Sequence, residues 1–404
     1  MYFFKMKLNH ILILFFSFFI VLPAKMMAQE ITLSETAEVS ILTMGPGSVL
    51  NDSFGHSAFR VKDPKQNIDV VYNYGVYDFN TPNFYMKFAQ GKLMYTLARN
   101  NFTPFYNYYS EQNRWIKEQV LNLNPSEKQD LFNFLQNNFK PENREYKYDF
   151  FFDNCATKMR DVLVTVLKDK ITYQDNLDPN SYTFRELIQK NVDWNTWGSF
   201  GMDIAIGAVV DRKATSWEHQ FLPEYVLKAA DKANLNRGQE DISLVKNTLD
   251  LFNNSTKEKT TNFFTSPLFI IGLLAFIILG ITYKDFKNKT RNRWLDASIY
   301  CVTGIIGLLL LFLWFATDHA TTHNNYNLLW AFPLSLFFVF AISKENPKSW
   351  LKRYAVFQIL MLVLMTIHWI TGVQVFAYGL LPLLIALLIR YVFLVYYFKT
   401  NVVR

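Results

Sequence analysis

The sequence predicts two parts of different kind: an α+β domain outside the cytoplasmic membrane, followed by an all-α bundle of about five transmembrane helices. Three observations predict it. The first residues are built like an export signal, the composition breaks near Phe263 into long apolar runs, and lysine and arginine gather in alternate loops between those runs.

The export signal comes first in the chain. Lys5 and Lys7 precede an apolar core from Ile11 to Leu22, and Pro23 and Ala28 point to processing before Gln29. Met26 stands where a small residue is usual, so retention as an uncleaved anchor stays open. No cysteine lies near this segment, which excludes a lipid-modified lipoprotein. Residues 1–28 are assigned to the signal sequence, 29–262 to a periplasmic domain and 263–398 to the membrane domain.

Five apolar segments follow the break: Phe263–Tyr283, Ala297–Ala316, Tyr326–Ile342, Tyr354–Ile370 and Val375–Tyr397. About 20 residues of helix cross the hydrocarbon core, and the third and fourth segments are at the short end of that requirement. The loops Lys284–Asp296 and Ser343–Arg353 are rich in lysine and arginine, whereas Asp318–Asn325 and Thr371–Gln374 contain neither. The positive-inside rule puts the first pair in the cytoplasm and the second pair outside. The large N-terminal domain then falls outside, as the export signal requires. Much of the formal net charge of +7 lies in these loops, so it sets topology and does not indicate a nucleic-acid partner.

Within the outer domain, Glu38–Met44, Ser57–Val61 and Asp69–Tyr77 have the β-branched and aromatic content of strands, with a turn at Gly45-Pro46-Gly47. From Asn83 to Asn138 the pattern turns helical, with a start signal at Pro125-Ser126-Glu127. Lys147–Phe152 is a short aromatic strand-like run. Asp153 or Asn154 then caps a helix to about Leu167, whose apolar positions are Cys155, Met159, Val162, Leu163 and Val166. Another helix is expected over Pro223–Asn234, and a polar linker over Asn253–Asn262.

The chain has two cysteines, Cys155 in the outer domain and Cys301 in an apolar run, so Cys155 is an unpaired thiol in an exported domain. The bland reading is a small buried hydrophobe. Its place at a helix start favours the thiolate, because free backbone N–H groups and the helix dipole stabilise an anion there. A thiol also needs a proton carrier, and His56 begins a strand directly after Gly55. Papain-like sites pair a helix-start cysteine with a strand histidine whose ring a third polar group orients. Asn73 or Tyr74 on the neighbouring strand could be that group, with Asn73 favoured.

These residues carry a resemblance. A histidine followed by an Asn-Cys pair, here His56 and Asn154-Cys155, resembles the circularly permuted, NlpC-type branch of the papain-like superfamily, which includes the lecithin:retinol acyltransferases. Their Asn-Cys-Glu-His is replaced by Asn-Cys-Ala-Thr, so this motif alone leaves the substrate class open. A closer resemblance runs through FGHSAFRVKD (Phe54–Asp63), YNYGVYDF (Tyr72–Phe79), FFDNCATKMRD (Phe151–Asp161), FLPEY (Phe221–Tyr225) and DHATTHNNYNLLW (Asp318–Trp330). These are similar to the Bacteroidetes-type lipoprotein N-acyltransferases. The resemblance implies a thiol acyltransferase with a phospholipid acyl donor and a diacylglyceryl lipoprotein acceptor, and no cofactor. It also directs attention to His319, His323 and Asn324, in the outer loop at the membrane surface, as substrate-binding residues.

Other polar residues have plainer readings. His219 reads as a surface or packing residue, with the catalytic base as the alternative, and Arg60 and Asp161 read as salt-bridge formers. Asp203 and Asp211 lack a histidine or cysteine at metal-ligand spacing, so no metal is expected. Two rival functions are a membrane-anchored cysteine amidase or peptidase acting on cell-wall peptides, and a non-catalytic membrane scaffold. A single anchor would suffice for the first, and the second sits badly with an intact cysteine and histidine.

Overall fold

The computed structural model describes residues 31–178, 180–238, 240–255 and 262–401, so the expected signal segment lies outside the described residues. Ile31–Leu33 belong to a first unit, Met1–Leu33, and everything described below lies in the second, Ser34–Arg404.

The outer domain is built on β1 (Glu38–Met44), whose residues after Glu38 are all buried. A strand covered on both faces needs apolar or small residues throughout, and VSILTM meets that need. β2 (His56–Asp63) and β3 (Ile68–Val76) follow as antiparallel neighbours, in the register Leu42↔Ala58 and Phe59↔Tyr72. Next come α1 (Phe84–Ala89), β4 (Met94–Asn101), α2 (Phe102–Glu111), β5 (Ile116–Leu121), α3 (Pro125–Phe139), β6 (Glu145–Lys147) and α4 (Cys155–Leu167). Then follow β7 (Ile171–Thr172), α5 (Phe184–Asn191), α6 (Trp197–Ala205), α7 (Pro223–Lys232), β8 (Asn234–Asn236), β9 (Asp241–Ser243) and β10 (Val245–Phe252). The main sheet has seven strands in the order β10-β5-β1-β2-β3-β4-β6, and β7, β8 and β9 form a small second sheet.

The expected helical stretch over Asn83–Asn138 is interrupted by β4 and β5, and β10 was not foreseen as a strand. Glu118 and Gln119 disguise β5, since both are buried in it. Glu118 is tolerated there because Arg60 on β2 bridges it at 3.0 Å and Asp69 at 2.8 Å, while stacking on Phe102 at 3.3 Å. A buried charge needs such partners. Leu42, Met44, Ala58 and Val71 on one sheet face pack against Phe105 and Tyr109 of α2. α4 packs on β2 and β3, with α3 and α7 beside it.

The C-terminal region is all-α. α8 (Pro267–Asn288), α9 (Arg293–Phe315) and α12 (Trp350–Ile370), with the helical stretch Tyr378–Thr400 that contains most of α13 (Leu381–Asn401), are four helices long and apolar enough to cross a membrane. The third expected span, Tyr326–Ile342, is not one helix. It consists of a 3₁₀ turn (Tyr326–Leu329) and two short helices, α10 (Leu334–Phe337) and α11 (Val339–Ile342). Pro333 breaks the helical ladder because it lacks an N–H and its ring crowds the preceding turn. The exposed backbone is sheltered against α9, where a Cβ at Gly304 would come 2.4 Å from Leu336 N and one at Gly307 2.2 Å from Ala331 O. Irregular backbone at membrane depth is tolerated only when buried in protein.

The interrupted segment runs the length of α9. Thr322 Oγ1 donates to Leu313 O at one end, and Arg291 donates to Ile342 O and Lys344 O at the other. Both basic loops therefore lie at one end of the bundle, as the positive-inside reading expects. At that end Arg390, fully buried, binds Asp285 at 2.8 Å and Asp296 at 2.7 Å and ties α8, α9 and α13 together. The outer domain docks on the opposite end. Asn325 Nδ2 donates to Ile204 O and Ala205 O, and Asn327 Nδ2 to Asp203 O and Ile204 O, so these side-chain amides satisfy the last carbonyls of α6. The chain is a multi-pass inner-membrane protein with a periplasmic N-terminal domain.

Candidate active site

α4 starts at Cys155 because Asn154 caps it. Asn154 Oδ1 accepts from Ala156 N at 2.8 Å and Thr157 N at 2.9 Å, and Thr157 Oγ1 accepts from Asn154 N at 2.8 Å, completing a capping box. The cap itself is anchored, since Asn154 Nδ2 donates to Phe150 O and Phe221 O. Of the two expected caps, Asn154 is the one used; Asp153 instead pairs with Lys158 at 2.6 Å.

The sheet brings the histidine to this helix start. β2 and β3 place His56 and Asn73 on the same sheet face, following the Phe59↔Tyr72 register and the two-residue period of strands. His56 Nε2 lies 2.6 Å from Asn73 Oδ1. An amide oxygen only accepts, so Nε2 carries the proton and Nδ1 is the nitrogen left for the thiol. Tyr74, the other candidate for the third position, donates to Asn138 Oδ1 at 2.6 Å and faces elsewhere. The His56 ring stacks on Tyr109 at 6.0 Å, with the Arg114 guanidinium 4.7 Å over the Tyr109 ring on its other contacts.

Gly75 makes room for the sulfur-bearing residue. It has φ +88°, and a Cβ there would sit 3.4 Å from Cys155 Cβ. Burial pushes the Cys155 thiol up, yet the charge of His56, a hydrogen bond from it, and the backbone N–H groups of Ser57 and Cys155 outweigh burial and hold the pKa below its ordinary value. For His56, burial works downward, but the charge of Cys155 and hydrogen bonds to Cys155 and Asn73 leave the imidazole raised. Opposite shifts in a cysteine and a histidine favour a thiolate–imidazolium pair.

Tyr146 on β6 was missed from the sequence. Its hydroxyl is buried, has no hydrogen-bond partner among the described residues, and lies 3.9 Å from where a Gly75 Cβ would be. Lys158 Nζ sits 4.4 Å over its ring. The alternation Tyr146, Tyr148 across the start of the strand-like run Lys147–Phe152 was the available signal, since both fall on one strand face.

The outer-loop residues do not gather around one point. His319 Nε2 is 3.1 Å from Phe88 O at the end of α1, whereas Gly207 N and Ala208 N donate to Thr321 O and Asn324 O. The His323 and Asn324 side chains are exposed. Asp318, at the start of the loop, pairs with Lys147 of β6 at 2.7 Å, which ties the strand carrying Tyr146 to the membrane domain. His219 is buried among Tyr225 and Tyr182, and burial lowers its pKa. Asp161 pairs with Arg160, and Asp203 and Asp211 share the buried Arg185.

Comparison with known proteins agrees with this division of the chain. Residues 23–190 match the Lnb N-terminal periplasmic domain, and residues 258–401 match the Lnb transmembrane domain. No curated protein and no solved structure matches the chain. Two domains of one family, matched in order on either side of the composition break, leave a single assignment: the chain belongs to the Lnb family, as its resemblance to the Bacteroidetes-type lipoprotein N-acyltransferases implies.

Proposed function

We propose that this protein is a lipoprotein N-acyltransferase that moves a fatty acyl chain from phospholipid, through a Cys155 thioester, to the α-amine of a diacylglyceryl-cysteine lipoprotein. The observation that carries the reading is the Cys155–His56–Asn73 arrangement on a domain docked to the outer end of a membrane bundle. Family membership supports lipoprotein N-acyltransfer in general. In this reading residues 29–262 form a permuted papain-like catalytic domain, since the strand histidine precedes the helix-start cysteine. Residues 263–398 cross the membrane five times, the interrupted segment beside α9 making the third crossing.

The Cys155 thiolate attacks the ester carbonyl carbon, forming a C–S bond and an oxyanion. The N–H groups of Ser57 and Cys155 and the Tyr146 hydroxyl are the donors that stabilise it. As the C–O bond breaks, His56 gives its proton to the glycerol oxygen, and lysophospholipid leaves. Neutral His56 then takes a proton from the lipoprotein amine as the amine attacks the thioester. The C–S bond breaks, the amide forms and the thiolate returns. Asn73 is a positioning residue that keeps Nδ1 toward sulfur. His319, His323 and Asn324 lie on the headgroup side of the site, where a phosphate or the acceptor amine arrives.

The test is mass spectrometry of lipoprotein N-termini formed by the purified full-length protein in nanodiscs with a diacylated lipopeptide. Transfer by the native chain, an acyl adduct on Cys155, and loss of both in Cys155→Ala support the reading. Normal transfer by Cys155→Ala overturns it.

A further inference from the structure

An exposed apolar surface on the outer domain has no role in the chemistry described so far. α1 (FYMKFA) and the loop before it present Tyr85, Met86, Phe88 and Phe79 to solvent, with Tyr85 80% and Phe79 65% exposed. Apolar side chains that are contiguous and exposed mark an interaction site. This one is held at the membrane end of the domain. His319 Nε2 meets Phe88 O at 3.1 Å and Asp318 N donates to Gln90 O at 2.8 Å, so α1 hangs from the loop that leaves α9. Phe315, in the last turn of α9, is itself exposed.

Behind α1 the rings form a continuous row. Phe88 stacks toward Phe84 at 6.3 Å, Phe84 meets Tyr77 at 5.8 Å, Tyr77 meets Tyr95 at 5.4 Å, and Tyr95 stacks on Tyr148 at 4.2 Å. Tyr148 is an electrostatic neighbour of Cys155. Tyr95 stands directly across from Tyr146, whose hydroxyl lies beside Gly75 and the thiol. One end of the row is at the membrane and the other at the nucleophile. Between Asp78 and Glu111 the sequence has no carboxylate, and Lys87 and Lys92 flank the end of α1, where Asp318 is already paired with Lys147; the carboxylates Asp149 and Asp153 lie at the far end, near Tyr148. Aromatic faces suit an acyl chain, and lysines at that level suit a lipid phosphate.

We propose that the α1 face and the ring row from Phe88 to Tyr148 receive the acyl chain of an outer-leaflet phospholipid and lead it from the bilayer to Cys155. The identification of the reacting chain as the donor's rests on the acyltransferase reading above; the lipid contact does not. A route of this kind is needed because each methylene drawn into water costs about 0.8 kcal/mol.

The experiment uses the full chain in nanodiscs of phosphatidylethanolamine and phosphatidylglycerol, with a phospholipid carrying a diazirine near its tail end. Photolysis should place adducts on the peptide spanning 79–95; adducts confined to the transmembrane helices would overturn the proposal. In the second arm, a Phe79→Ser, Phe88→Ser double variant is compared with the native chain. Formation of acyl-Cys155 from a dipalmitoyl donor should fall about 10-fold, the loss expected when an aromatic contact with an alkyl chain is removed. Acylation from a monomeric dihexanoyl donor and alkylation of Cys155 should be unchanged. Equal loss with both donors would sink the proposal. So would normal acyl-Cys155 formation with slow transfer to lipopeptide, which would make the row an acceptor site. Tail adducts on 79–95 in a native chain that acylates from no donor would instead retire the acyltransferase reading and leave the lipid-contact surface standing.

Discussion

His56 Nε2 and Asn73 Oδ1 lie 2.6 Å apart, on adjacent strands and one sheet face, and this single contact sets the tautomer of the ring next to Cys155. With the proton on Nε2, Nδ1 faces the sulfur. Asn73→Ala should leave the thiol and histidine in place but free the ring. Acyl-Cys155 formation should fall about 10-fold, the worth of one hydrogen bond to a charged group, and stopped-flow acylation measures it. Asn73→Asp, which keeps an acceptor, should recover part of the loss.

The ion pair has a pH signature. Burial raises the Cys155 pKa, but His56 brings it below the ordinary thiol value, and Cys155 and Asn73 bring His56 above the ordinary imidazole value. Both shifts favour the thiolate–imidazolium pair over the neutral pair. Alkylation of Cys155 by iodoacetamide should remain fast well below the pH at which a free thiol ionises, and be lost only as pH falls through the lowered thiol pKa. His56→Ala removes the offsetting charge and leaves burial, so the midpoint should move upward. An unchanged midpoint would show that the helix start alone lowers the thiol.

Tyr146→Phe removes only a hydroxyl that has no hydrogen-bond partner among the described residues and is an electrostatic neighbour of Cys155. As one of several oxyanion donors, its loss should slow acylation roughly 100-fold. Alkylation of Cys155, which forms no oxyanion, should keep its native rate. A parallel loss of alkylation would make the hydroxyl a partner of the thiolate instead.

Arg390 is fully buried between Asp285 and Asp296. Arg390→Leu leaves two buried carboxylates without their shared cation and should cost about 3–5 kcal/mol, seen as a lower thermal midpoint in detergent. Asp296 keeps Arg291 at 3.3 Å, so combining Arg390→Leu with Asp285→Leu removes the carboxylate left without a cation and should restore most of the loss.

Topology is open to direct labelling. In a Cys155→Ala background, His323→Cys should react with a membrane-impermeant thiol reagent in outer-permeabilised cells, and Thr290→Cys should react only after the inner membrane is opened. The reverse pattern would invert the bundle.

Much of this site was legible in the residues. Asn154-Cys155 reads as a capped helix start from local chemistry alone, because a cap and its N–H acceptors lie within three positions. Asn73 and Tyr74 were both candidates for the neighbour of His56 from adjacency in sequence, and the strand register with its two-residue period decides for Asn73. The basic loops at residues 284–296 and 343–353 reported orientation, since that rule acts on loop composition, and the structure puts both at one end. What stayed hidden depends on partners distant in sequence. β5 looked helical because Glu118 is unfit for a buried strand until Arg60, far back in the chain, neutralises it. The span Tyr326–Ile342 looked continuous because composition does not show that Gly304 and Gly307 make a groove for the backbone broken at Pro333. Asn325 closed the expected outer loop and Asn327 fell inside the expected span Tyr326–Ile342, yet both close the carbonyls of α6 and fasten the outer domain to the bundle. In each case a polar group is buried against one from another part of the chain, and only the fold that brings the two together decides whether its burial costs or contributes stability.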